Sequence, residues 1–176
     1  MISRIDEAEA KQIAGAIKLL LLDVDGVLTD GSLYFCADGS EIKAFNSLDG
    51  HGIRMLLENG IEVGIITGRN STIVANRAKD LGIKILYQGQ SDKLKALHTI
   101  IESTQLNPSQ LAYAGDDLPD LPVMAAVGLS IAVANAHAII LDNAILRTTK
   151  TGGKGAVREI SDYLLKAQSK YDQYLQ

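Results

Sequence analysis

Two carboxylates lie two residues apart in Asp23-Val24-Asp25-Gly26, at the point where the apolar run Ile17–Leu22 stops. Such a run reads as a buried parallel strand, and ligands of open α/β sheets gather beyond the carboxyl ends of their strands. Alternation would send the two side chains to opposite faces, but Gly26 lets the backbone turn and bring both toward one pocket. One carboxylate can then attack while the other moves a proton. Three further apolar runs end in the same manner. Ile61–Ile66 leads into Thr67-Gly68-Arg69, Ile83–Tyr87 into a polar stretch closing on Lys93, and Leu111–Ala114 into Gly115-Asp116-Asp117, with Asp120 just beyond. This inventory suits phosphoryl transfer through an aspartyl-phosphate. Carboxylates from two strands hold a hard Mg²⁺, while Thr67 and Lys93 hold phosphate oxygens and neutralise the charge spread over them in a loose transition state.

The elements that must position these groups follow from the pattern between them. Apolar residues at helical spacing fill the intervals: Ile53, Leu56 and Leu57; Ile73, Val74 and Leu81; Leu94, Leu97, Ile100 and Ile101; then Leu121–Val127 and Val157–Gln168. Strand and helix in alternation with short connections predict a Rossmann-like α/β domain, a parallel sheet covered by helices on both faces. The segment 31–46 departs from this rhythm. Leu33 and Phe35, then Ala37-Asp38-Gly39-Ser40, then Ile42 and Ala44 read as a β-hairpin about a glycine-containing turn. Residues 1–16 read as an amphipathic N-terminal helix, and 152–176 as a glycine-rich loop followed by a last helix, all within one domain spanning 1–176.

Bulk properties narrow the function classes. The 176 residues carry 17 Lys and Arg against 21 Asp and Glu, with no polybasic run, so neither nucleic acid nor an anionic membrane is an expected partner. Cys36 is alone, which leaves no intrachain disulfide, and no Cys/His cluster offers a zinc site. The N-terminus lacks the charged-then-apolar order of a signal peptide, and a cytoplasmic location is expected.

The motifs together resemble the haloacid dehalogenase superfamily of phosphatases: Asp23-Val24-Asp25-Gly26-Val27-Leu28-Thr29-Asp30, Ile65-Ile66-Thr67-Gly68-Arg69, Lys93, and Gly115-Asp116-Asp117-Leu118-Pro119-Asp120, in that order. Asp49-Gly50-His51-Gly52-Ile53, Tyr87-Gln88-Gly89-Gln90-Ser91, Pro122-Val123-Met124 and Gly152-Gly153-Lys154-Gly155-Ala156-Val157-Arg158-Glu159 look like its 3-deoxy-D-manno-octulosonate 8-phosphate phosphatase subfamily, which serves lipopolysaccharide precursor synthesis. Leu48, where an arginine is common, and Asn135, where an aspartate is usual, depart from the subfamily pattern. Superfamily members that act on small molecules often insert a cap domain between the first and second or the second and third motifs. Here neither interval has room for one. The resemblance therefore implies a homotetramer whose subunits wall one another's sites.

For individual residues the expectations are these. Asp23 is the nucleophile, and Asp25 is general acid and then general base. Thr67, Gly68 and Lys93 bind phosphate. The metal set is Asp23, Asp25 through its backbone carbonyl as the resemblance implies, and Asp116. Asp117 either ligates through water or orients Lys93, and Asp120 is read either as part of the fourth motif or as an acid at a helix N-terminus. Arg69 and Arg77 suit a substrate carboxylate, although Arg77 also reads as a solvated helix residue. Gly152–Gly155 reads as a linker or as a loop placing Lys154 or Arg158 in a neighbour's site. His51 lies near the site loop, whereas His98 and His137 read as surface or packing residues. The rival functions are a nine-carbon sialic-type sugar acid 9-phosphate phosphatase, a phospho-receiver module and an oligomerisation module. Receivers place the acidic pair first and the acceptor later, the reverse of the order here.

Overall fold

The structure, a computed structural model, describes residues 1–175. Its seven-stranded sheet has the order β1-β9-β8-β7-β2-β5-β6: β1 (Ile2–Ser3), β9 (Leu146–Arg147), β8 (Leu129–Ala132), β7 (Leu111–Gly115), β2 (Leu19–Leu22), β5 (Glu62–Ile66) and β6 (Ile85–Tyr87). All neighbours pair in parallel except the edge strand β1, which runs antiparallel to β9. The four leucines of β2 are fully buried, as a central strand covered on both faces requires.

The helices are α1 (Glu7–Ala16), α2 (Ser47–Glu58), α3 (Thr72–Leu81), α4 (Lys93–Thr104), α5 (Leu121–Ala126), α6 (Ala138–Asn143) and α7 (Ala156–Ala167). Helix α7 packs against α1 and α2, while α4 packs against α5. The fold is the expected Rossmann-like α/β architecture. The N-terminal expectation needs correction: the helix expected over 1–16 begins only at Glu7, where the Asp6 carboxylate accepts the Ala8 and Glu9 N–H groups, and Ile2–Ser3 adds to the sheet edge instead. The hairpin is present as β3 (Tyr34–Phe35) and β4 (Glu41–Ile42), with Tyr34 opposite Ile42.

Strand order explains where the site must be. From β2 the chain moves outward through β5 to β6, then returns to lay β7 on the other side of β2. That reversal opens a crevice at the carboxyl ends of β2 and β7. Register brings Leu22 level with Ile65 and Ala114, so Asp23, Thr67 and Asp116 emerge side by side.

Candidate active site

Asp23 ends β2 with its side chain largely buried, and its nearest cation is the Lys93 ammonium at 3.0 Å. Lys93 opens α4, whose N-cap is Asp92, and it reaches back across the crevice to lie 2.6 Å from Asp120 Oδ1. The fully buried Tyr113 hydroxyl donates to the same oxygen at 2.6 Å. Asp120 Oδ2 accepts the backbone N–H groups of Asp116 and Asp117 at 2.9 and 3.2 Å. Asp120 is therefore saturated: it anchors Lys93 from behind and folds the Gly115–Asp120 turn so that Asp116 faces Asp23. Burial alone would lower the Lys93 ammonium, but Asp23 and Asp120 outweigh it and hold the amine protonated.

Asp23, Asp116 and Asp120 each offer a carboxylate oxygen within 4.8 Å of the others. One ammonium cannot balance three such acids. Burial, then the nearby Asp23 and Asp120 charges, push the Asp116 carboxyl up to about 8, and burial pushes Asp23 upward as well. Asp116 Oδ1 is buried and, among the described residues, without a hydrogen-bond partner. A buried carboxylate oxygen left bare beside a second acid is the arrangement a hard divalent cation relieves, so the residues fit Mg²⁺. With Asp120 already accepting four hydrogen bonds, Asp23 and Asp116 are the side chains free to ligate.

Space for this facing pair comes from Gly26. The chain turns at φ +97°, and a Cβ placed there would lie 2.0 Å from Asp116 Oδ2. Thr29 pins the turn, its hydroxyl accepting from the Gly26 and Gly31 N–H groups.

Asp25 points elsewhere. Its carboxylate accepts a hydrogen bond from Lys43 Nζ and lies 3.6 Å from Arg69 Nε, so its side chain is no part of the metal-facing cluster. Its acid group lines the pocket beside Arg69. The pocket, about 410 Å³, is lined by Asp23, Asp25, Thr67, Gly68, Arg69 and Lys93, with Gln90, Asp116 and Asp117 at its sides. Thr67 is held by its N–H on Tyr87 O and by its carbonyl, which accepts from Gln90 N–H.

Other expected residues are not brought together. Arg77, Lys154 and Arg158 do not line this pocket. The Arg77 guanidinium stacks over Phe45 at 5.7 Å. Arg158 pairs with Asp162 at 2.7 Å, and with Lys154 and Leu48 it lines a separate cavity of about 480 Å³. Asp117 reaches the pocket, but Asp120 rather than Asp117 orients Lys93.

The glycine loop is not a free linker: its own chain orders it. Gly153 N–H donates to Val27 O, Gly152 N–H to Asn135 Oδ1, and Gly155 N–H to the buried Asp49, which also accepts the Arg158 N–H and so caps α7. At Gly152 a Cβ would lie 1.7 Å from Gly26 O, so glycine is needed there for close approach to the Asp23–Thr29 turn. Asn135 does the accepting an aspartate would do. His51 and His98 are exposed, and His137 Nδ1 accepts the Ile139 N–H.

Sequence reasoning passed over Lys43, Glu41, Tyr113 and the anchoring role of Asp120. Glu41, in β4, and Lys43, just past it, carried a usable signal: two positions apart in the alternating stretch Glu41-Ile42-Lys43, they fall on the same side, opposite to Ile42.

Residues 83–160 match the haloacid dehalogenase-like hydrolase family. The chain is 53% identical to the 3-deoxy-D-manno-octulosonate 8-phosphate phosphatase of Yersinia pestis over 92% of its own length and 86% of the relative's. Among solved structures it is similar to the enzyme of that name from Moraxella catarrhalis in complex with magnesium ion, phosphate ion and KDO, at 44% identity and a TM-score of 0.94, covering 97% of this chain and 98% of that one. It is likewise similar to the cobalt-bound deoxy-D-mannose-octulosonate 8-phosphate phosphatase of Haemophilus influenzae, at 42% identity and a TM-score of 0.91, covering 94% and 96%.

Proposed function

The chain belongs to the 3-deoxy-D-manno-octulosonate 8-phosphate phosphatases among the haloacid dehalogenase-like hydrolases, and from that premise we propose that it hydrolyses this eight-carbon sugar acid phosphate to the free sugar acid and phosphate. The observation that carries the reading is Asp23 paired with Lys93 and lying within ligand distance of the bare Asp116 oxygen. Asp23 attacks phosphorus as the bond to the sugar oxygen breaks, and Asp25 gives that oxygen its proton. Asp25, now ionised, takes a proton from water whose oxygen attacks the aspartyl-phosphate, and phosphate leaves as the Asp23–phosphorus bond breaks. Lys93, Thr67 and the Gly68 N–H hold the phosphoryl oxygens throughout. Mg²⁺, held by Asp23, Asp116 and the Asp25 backbone carbonyl, supplies positive charge where the phosphoryl group gathers negative charge. Arg69, at the pocket mouth and 40% exposed in its side chain, receives the sugar carboxylate.

The working form is a homotetramer, supported by the exposure of Leu33, Tyr34, Phe35 and Ile42 on the hairpin, between 46 and 62%. A two-stranded ribbon with apolar side chains in water gains by pairing with symmetry mates. In that assembly Lys154 and Arg158, which line a cavity apart from their own subunit's pocket, serve the anionic substrate of a neighbouring subunit. The enzyme acts in the cytoplasm, in lipopolysaccharide precursor synthesis.

The test is kcat/KM on eight-carbon and nine-carbon phosphorylated sugar acids, with and without a chelator, alongside Asp23→Asn. Metal-dependent turnover favouring the eight-carbon ester, abolished by D23N, is expected. Turnover that survives full metal removal or D23N would falsify the aspartyl-phosphate mechanism, and preference for nine carbons would move the assignment to sialic-type acids.

A further inference from the structure

We propose that Lys43, just past the return strand β4 of the hairpin, is a positioning residue for the reaction, fixing the Asp25 carboxylate on the Arg69 side of the pocket and away from the metal-facing acids. The inference rests on the functional reading above. It starts from an imbalance of exposure: the hairpin displays most of its side chains to water, yet the Lys43 side chain is only 2% exposed. A lysine at the edge of a marginal ribbon ordinarily keeps its ammonium in solvent. Burying one is costly unless it is paired and hydrogen-bonded.

Lys43 is paired on both sides. Its ammonium meets Asp25 Oδ1 on the nucleophile turn and lies 3.3 Å from Glu41 Oε1 on the adjoining strand β4. Glu41 in turn accepts from Arg69 at 2.8 Å and from the Ser71 hydroxyl at 3.1 Å. The hairpin is thereby bolted across the turn carrying Asp25 and the loop carrying Thr67 to Ser71. Among the described residues Lys43 is the only hydrogen-bond donor to the Asp25 carboxylate, since Arg69 Nε at 3.6 Å makes no hydrogen bond.

The consequence is directional. Next to Asp25 lies the cluster of Asp23, Asp116 and Asp120, and a carboxylate with no partner of its own would turn toward the cation held there. Pulled by Lys43 to the other side, Asp25 faces the leaving oxygen. In a chain without a cap domain, this contact makes the hairpin part of the catalytic scaffold of its own subunit as well as an assembly surface.

The experiment is a double-mutant cycle, Lys43→Met with Asp25→Asn, read on the eight-carbon sugar phosphate and on 4-nitrophenyl phosphate, whose leaving group needs little protonation. K43M should lower kcat on the sugar ester by about 10²-fold, the scale of a ~1 Å misplacement, with KM within about twofold. The first-turnover burst of 4-nitrophenol, which reports attack by Asp23 before Asp25 is needed as a base, should lose far less than the burst on the sugar ester. In the D25N background K43M should cost under about threefold on the sugar ester, because the group it positions is already disabled. Full additivity, an equal loss in the first-turnover bursts of the two esters, or a wild-type rate would each overturn the proposal. If K43M does not accumulate as folded protein, Lys43→Gln takes its place in the cycle under the same criteria. A wild-type protein with no phosphomonoesterase activity overturns the functional reading and this inference with it; an active wild type insensitive at Lys43 overturns the inference alone.

Discussion

Replacing Gly26 by alanine tests the geometry of the metal-facing pair most directly. The added Cβ would lie 2.0 Å from Asp116 Oδ2 and 2.4 Å from its Cγ, against an ordinary contact of 3.4 Å or more, so Asp116 must retreat by about 1.4 Å. Alanine would also have to hold φ +97°, at a cost of about 1–2 kcal/mol. Strain of that size lowers the melting temperature by about 2–8 °C in a chain of this length. A shift beyond 1 Å in a charge-bearing group costs on the order of 10²-fold in rate. G26A should therefore fold, melt slightly early, and lose about 10²-fold in kcat/KM together with much of its Mg²⁺ affinity by isothermal titration calorimetry. Gly60→Ala supplies the control, since its φ is +74° with nothing within 4 Å of the added carbon. It should show a similar thermal loss and full activity. Wild-type rate and metal affinity in G26A, or an activity loss of equal size in G60A, would refute the argument.

Asp120→Asn removes the anchor behind buried Lys93 and should destabilise the protein by about 3 kcal/mol in urea unfolding while lowering kcat, because breaking a buried pair leaves a charge uncompensated; unchanged stability would mean that Asp23 alone suffices for Lys93. Asp116 is raised to about 8 in the fold from 3.8, so the metal-free folded state holds more protons than the unfolded chain between those values. Its stability should then fall as pH rises from about 4 to 8, and Mg²⁺ binding near neutral pH should release a proton, visible as a buffer-dependent heat; an identical heat in buffers of different ionisation enthalpy would contradict this. Ile42→Lys should split the assembly, by light scattering, without lowering the melting of the subunit core, and persistence of the parent mass would remove the hairpin as the interface.

Much of the site was legible because parallel strands end where chemistry is placed. Asp23, Thr67, Lys93 and Asp116 each follow an apolar run, and register alone brings the three strand-end groups together. What stayed hidden depends on pairing between distant segments. Nothing local to Tyr113 or Asp120 says that they share Lys93, and Lys43 meets Asp25 only because the hairpin folds back over the turn. The short strands β8 and β9 and helix α6 lack the long periodic runs that announce the others. The glycine loop misled for a physical reason: glycines that signal freedom in an isolated segment here allow the chain to press against Gly26 O. Removing residues from Gly152 onward would consequently strip α7 from α1 and α2 and unfold the core rather than merely open the site.

The central position of β2 also bears on how the protein is made. Its partner β7 follows about ninety residues later in the chain, as the pairing of Leu19 with Leu111 requires. At ribosomal rates of about 5–20 residues per second, roughly 5–20 s pass between the emergence of the two strands. During that time the four leucines of β2 are half-clothed, and Asp23 and Asp116 exist on separate, unjoined pieces of chain. Non-local parallel pairing of this kind is slow to close. The nascent chain therefore passes through an interval in which it is vulnerable to aggregation and unable to capture metal, and catalytic competence arrives late, after Asp116 has been laid beside Asp23 and α7 has sealed the turn between them.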